Sequence, residues 1–213
     1  QAVVVCMDAR GGEPEVIDSF LVRTDQGTAE APSLAAAVGR AIRSRGLVYD
    51  ESAAALSSDF YAQYPMHSMF TDSRQIEGTI RYDAEEATAA DATTLAVTFE
   101  ILDSGPRGSE VMVYSADRQS LTDILLDMQA EGMDPVVMEP EVVSLARVLD
   151  AKSNFAHDTE TLHVILDADN CIFLKNANKG HGVHSRRLLR GAAADPTAEL
   201  AGHLQLTLAA WSE

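Results

Sequence analysis

Between Leu95 and Ile101 every second residue is apolar: Leu95, Val97, Phe99 and Ile101. That is the period of a strand with one face turned inward. From Leu121 the period changes. Leu121, Ile124, Leu125 and Met128 fall at i, i+3, i+4 and i+7, the stripe of an amphipathic helix. A second strand is expected from Glu110 to Ser115, with Gly105, Pro106 and Gly108 marking the turn before it. Ahead of the hairpin the pattern predicts an acidic helix from Arg74 to Glu86. Ile76, Ile80 and Asp83-Ala84 lie on one face, and Thr71, Asp72 or Ser73 caps it. Gly132 closes the later helix as its C′ residue, and a short strand follows from Val136 to Glu141. Helix, hairpin, helix, strand makes a compact α+β module.

The flanks carry simpler patterns. Two strands are expected at Ala2 to Met7 and Glu15 to Val22, with Gly11 and Gly12 in the turn between them. Ser33 caps a helix carrying Leu34, Val38 and Ile42 and closed by Gly46, and a small-residue strand follows from Ser52 to Ser57. The segment Phe60 to Phe70 reads as a connection rich in Tyr, Pro and Met. After the module, a helix from Glu139 to Leu149 leads into the polar stretch Asp150 to Thr161, which has no periodicity and reads as a hinge. Strands follow at Leu162 to Leu166, Cys171 to Leu174 and Val183 to Leu189. A last helix starts at Asp195-Pro196 and carries Leu200, Leu204, Leu208 and Trp211. A hairpin followed by a helix thus occurs at both ends.

Charge removes several classes of function. Lys and Arg total 16 against 33 Asp and Glu, a formal net charge of -17. Binding to nucleic acid or anionic lipid draws on clustered cations. The basic cluster here is His184, Arg186, Arg187 and Arg190, which reads as a solvated strand end. Cys6 and Cys171 each sit in an apolar run and read as free thiols in a reducing, cytoplasmic setting. No apolar run approaches the length of a membrane span, and no signal peptide is visible. The sequence reads as an excised piece of a longer protein.

Several of these residues carry a family resemblance. Arg74-Gln75-Ile76, then Tyr82 and the acidic pair Glu85-Glu86, follow a Pro-containing connection. Gly132-Met133-Asp134-Pro135 precedes Glu139-Pro140-Glu141 and Ala146-Arg147-Val148-Leu149. In this order the chain resembles the type IV pilus assembly protein PilM and the cytoplasmic part of the type II secretion protein GspL, of the actin-like superfamily that includes FtsA. The resemblance implies an α/β fold of actin-like (ribonuclease H-like) lobes with an inserted small α+β subdomain. Residues 1–71 and 139–153 would form the first lobe, residues 72–138 the insertion, and residues 154–213 the start of an incomplete second lobe.

It also implies a non-catalytic cytoplasmic scaffold, peripheral to the inner membrane, that links an inner-membrane pilus or secretion platform protein to the machinery. Nucleic acid and direct membrane contact are not expected, and a homodimer stays open. In the resembled proteins a partner peptide docks in a cleft near the insertion. The corresponding residues here are Tyr64, Met66 and Phe70, with Glu77 and Glu85 supplying charge for a basic partner segment.

The alternative is an actin-like ATP-binding protein with weak ATPase or kinase-related activity. Such a site needs a glycine turn whose amides approach the phosphates, and an Asp near Mg²⁺. Asp167, Asp169 and Asn170 stand at that turn, with Asp169 in place of the glycine. An acidic side chain there repels phosphate, so no cofactor is expected of this chain, and ATP with Mg²⁺ only of a longer one. His181 and His184 have ligand-like spacing. On a strand, however, positions three apart alternate faces, and no metal is expected. Asp83 and Glu86 read as a solvated helix face, and no P-loop or G-x-S-x-G motif occurs, so no catalytic residue is assigned.

Overall fold

A computed structural model describes residues 1–24, 32–152, 161–166, 170–177, 180–187 and 195–210. The chain divides into two compact units. One comprises Gln1–Ala54 and Arg118–Met138, the other Ala55–Asp117 and Glu139–Glu213.

In the first unit, strands β1 (Ala2–Asp8) and β2 (Glu15–Val22) pair antiparallel, with a bulge between Cys6 and Met7. Helix α1 (Leu34–Ser44) starts where Ser33 Oγ accepts a hydrogen bond from the Ala36 amide at 3.2 Å. It packs against both strands. Just past its end, Arg45 pairs with Asp18 at 3.0 Å and lies 4.2 Å over the Phe20 ring, tying the helix to β2. Strand β3 (Ser52–Leu56) leads out of the unit. The chain returns through α3 (Arg118–Ala130) and β7 (Pro135–Pro140), and β3 and β7 form a second two-stranded sheet. Helix α3 packs on α1, with Arg43 reaching Glu131 at 2.8 Å.

The second unit holds most of the core. Its first sheet has the order β4 (Ala62–Ser68), β6 (Gly108–Asp117), β5 (Leu95–Gly105), all antiparallel. Helix α2 (Ser73–Thr88) covers one face. Ile76 and Ile80 meet Val111 and Val113 of β6 there, with Tyr64, Met66, Val97 and Phe99 around them. The other face carries Met112 and Tyr114. They pack on Val142 and Ala146 of α4 (Glu141–Lys152) and on Ile172 and Leu174 of β9 (Asn170–Ala177). Strand β6 is therefore buried on both sides, which explains its unbroken run Val111-Met112-Val113-Tyr114. Strands β8 (Thr161–Leu166), β9 and β10 (Gly180–Arg187) make a second antiparallel sheet, with β9 central, and α5 (Pro196–Ala210) packs on β9.

Some sequence expectations differ from this picture. The segment expected as a connection contains β4, because Tyr64 and Met66 alternate with Pro65 and His67 on an edge strand, where a proline is tolerated. Ile101 is exposed rather than inward. The register shifts between Ile101 and Asp103, and Leu102 joins the opposite core face. The segment 72–138 is shared between the units: residues 72–117 group with β4, whereas α3 and most of β7 group with α1. Helix α3 packs against α1. Of the stretch expected as a hinge, Asp150 to Lys152 belong to α4 and Thr161 begins β8, while residues 153–160, like Trp211, lie outside the described residues.

Candidate functional site

Helix α2 presents the clearest surface feature. Asp72 sets its start, accepting hydrogen bonds from the amides of Arg74 and Gln75 at 3.1 Å each. That choice of cap fixes the phase of everything downstream. Ile76, Ile80 and Ala84 point to the sheet and are buried. Glu77, Arg81, Tyr82, Glu85 and Glu86 are consequently exposed, Tyr82 at 68%. Ala89 adopts a left-handed backbone with φ 54° and ends the helix.

The five residues expected to bind a partner separate into two sets. Tyr64, Met66 and Phe70 are half-buried and pack beneath α2 against the Ile76–Val111 cluster. Glu77 and Glu85 stand on the outer side, eight positions apart and so on one face. The structure joins them through the helix rather than lining a common groove. Met69, 82% exposed, lies just before the cap.

A shallow open depression of about 370 Å³ lies at the far end of the same sheet. Asp59, Phe60, Thr88, Leu95 and Asp117 contribute to it. Sequence reasoning missed it because these residues come from three separate segments, and no local pattern joins them. Beside it, Tyr61 and Tyr114 meet edge-to-face with ring centroids 5.9 Å apart. Burial raises the pKa of both phenols, and the carboxylates of Glu141 near Tyr61 and Glu100 near Tyr114 add to the rise. Glu141 also accepts a hydrogen bond from the Ser58 amide at 3.0 Å.

The nucleotide expectation falls largely outside the description. Asp167 and Asp169 lie outside the described residues, between β8 and β9, and Asn170 begins β9. His181 and His184 both fall within β10. Among the described residues no group of three or more His, Cys, Asp or Glu is arranged to hold a metal ion, and no helix is long and apolar enough to cross a membrane.

No family model matches the sequence, and no curated protein matches it. Solved structures do match. A chain of the PilM–PilN type IV pilus biogenesis complex superposes with a TM-score of 0.75 at 17% identity, over 92% of this chain and 64% of that one. The cytoplasmic domain of EpsL, an inner-membrane component of the type II secretion system of Vibrio cholerae, gives 0.58 at 18% identity, over 85% and 64%. A Bacteroides thetaiotaomicron protein of unknown function with an actin-like ATPase fold gives 0.53 at 11% identity, over 94% and 68%. The chain spans 64% of the length of the first two. Its fold is the actin-like α/β fold of these structures, and the first two come from the pilus and secretion systems whose proteins the sequence resembles.

Proposed function

We propose that this chain is part of a non-catalytic scaffold that links an inner-membrane partner to pilus or type II secretion machinery from the cytoplasmic side. The observation that carries the reading is the likeness, over 92% of the chain, to a protein whose structure is that of a pilus biogenesis complex with a second protein. The likeness to an inner-membrane secretion component supports the same class of partner.

The docking surface proposed is the outer face of α2, with Glu77 and Glu85 meeting a basic segment of the partner. Tyr64, Met66 and Phe70 act from beneath by fixing the helix. The net charge of -17 favours encounter with a basic partner at low salt. The test is capture of the native membrane partner by the full-length protein carrying Glu77→Lys with Glu85→Lys. Capture reduced tenfold or more in folded protein supports the surface; unchanged capture removes it. Sedimentation of the same preparation separates a monomer from a homodimer.

The second reading is an actin-like ATP-binding protein, favoured by the actin-like ATPase fold of the Bacteroides neighbour. Asp167, Asp169 and Asn170 would then form its phosphate turn. Calorimetry of the full-length protein with Mg-ATP separates the two. Micromolar binding that Asp167→Ala abolishes selects the second reading, and absence of heat selects the scaffold.

A further inference from the structure

Strands β1 and β2 leave one face of their ribbon apolar and open. The register sets Val3 opposite Leu21, Val5 opposite Ser19 and Met7 opposite Val16, and residues paired across a ladder share a face. Ile17, two positions from Ser19, falls on the same side. Apart from Ser19 every one of these residues is apolar, and every one is exposed, Val3 at 72%. The opposite face is occupied. Val4, Cys6 and Phe20 are half-buried there. Helix α1 packs on both strands, and Arg45 just past its end pairs with Asp18 and lies over the Phe20 ring.

A strand open to water on one side carries polar residues at alternate positions, whereas a strand covered on both faces reads as a continuous apolar run. Val3-Val4-Val5-Cys6-Met7 is of the second kind. Yet only one of its faces is covered. A contiguous apolar patch of this sort on a soluble protein marks a surface that another element occupies.

Size and charge select the occupant. Two strands of this length make a ribbon about 24 Å long and 10 Å wide. That is well short of the roughly 800 Å² per partner that a stable interface buries. Two copies, each with a net charge of -17, also repel one another. A ribbon of those dimensions matches one helix, which is about 10 Å across and rises 1.5 Å per residue, so about four turns. A patch too small to hold a separate molecule does hold a tethered segment, whose effective concentration is in the millimolar range. The fold has length to spare for one. The match takes up 92% and 85% of this chain but only 64% of each of the first two solved structures, so roughly a third of each has no counterpart here.

We propose that the open β1–β2 face is the seat of an amphipathic helix of the same polypeptide, from outside these 213 residues, which makes the ribbon the middle layer between that helix and α1. The helix lays an apolar stripe on Val3, Val5, Met7, Val16, Ile17 and Leu21. That stripe is uncharged, because Asp18 lies on the α1 side and the open face offers no charge to pair.

The test is peroxide oxidation of the methionines in the full-length protein, read peptide by peptide and referred to the rates of the same protein unfolded in urea. Thioether oxidation follows exposure. Met69, 82% exposed, gauges an open side chain, and Met133, 4% exposed, a closed one. Met7 is 58% exposed in this chain, so without a cover it oxidises within about twofold of the unfolded rate. Under the helix it is expected to be slowed at least about fivefold. Photo-methionine incorporated at Met7 identifies the cover. It should cross-link within the same molecule to a stretch outside residues 1–213, at apolar positions with helical spacing. An equal mixture of ¹⁴N- and ¹⁵N-labelled protein separates these cross-links from those between molecules. Oxidation of Met7 less than about fivefold slowed overturns the proposal. So do cross-links between the two labels, or protection that disappears on dilution, either of which assigns the face to a second copy. Protection that arises only when the membrane partner is added assigns it to that partner and overturns the proposal as well.

Discussion

At the scale of single residues, Gly108 is the least replaceable position in the β5–β6 hairpin. Its φ of +121° is a conformation an L side chain rarely adopts, and Ser68 and Met69 occupy the space a Cβ would need. Gly108→Ala is expected to cost about 2–4 kcal/mol, combining backbone strain with overpacking, read from urea denaturation. The buried phenols of Tyr61 and Tyr114 give a second test. Burial, then the nearby carboxylates of Glu141 and Glu100, raise their folded pKa above the ordinary tyrosine value of about 10. Folding therefore favours the protonated phenol. Their contribution is complete below about pH 10 and is lost as the unfolded tyrosines ionise above it. Absorbance at 295 nm should show both titrating only with alkaline unfolding, whereas Tyr61→Phe should shift the onset of that unfolding upward.

At the scale of elements, close approach decides how α1 and α3 meet. Gly39 is the buried residue of α1, and a Cβ there would lie 2.9 Å from Glu131 Cβ and 2.7 Å from its Oε2. Alanine gains about 1 kcal/mol of helix propensity over glycine but forces the helices apart at a cost of about 1–3 kcal/mol. Gly39→Ala should therefore destabilise by roughly 1 kcal/mol and weaken the Arg43–Glu131 pair, seen as faster amide exchange at residues 128–131. A similar packing argument explains β6. Its two faces belong to two different core clusters, so its apolar run has no period of two, while β5 keeps alternation until the bulge at Leu102.

At the scale of the whole chain, a net charge of -17 over 213 residues places many carboxylates near one another. Among the described residues, the ion pairs of Arg10, Arg43, Arg45 and Arg147 engage only a few of them. Self-repulsion opposes the compact state and is screened by salt. Thermal unfolding should move to higher temperature between 20 mM and 300 mM NaCl, and a fall over that range would refute the repulsion argument. The hydrophobic distribution also differs between the units. Most buried residues belong to the second unit, whereas β1 and β2 expose Val3, Val5, Met7, Val16 and Leu21 on one face.

The sequence alone determined the elements whose period is imposed locally. The cap at Ser33, the stripe Ile76-Ile80-Ala84, the glycine at 132 and the alternation of β5 as far as Phe99 are each written within one or two helical turns or one strand, whereas the choice of Asp72 among Thr71, Asp72 and Ser73 is not. Short-range sterics and hydrogen bonding are enough to specify them. The acidic outer face of α2 was legible for the same reason, since Glu77 and Glu85 follow once the apolar stripe is known. Only the tertiary structure decided which elements share a core. It made Tyr64 and Met66 part of a strand beneath α2, packed α3 on α1, and brought Asp59, Leu95 and Asp117 to one depression. It also set His67 beside Glu110, 43 residues away. Those outcomes depend on strand register and on burial between segments far apart in the chain, and local periodicity does not encode either.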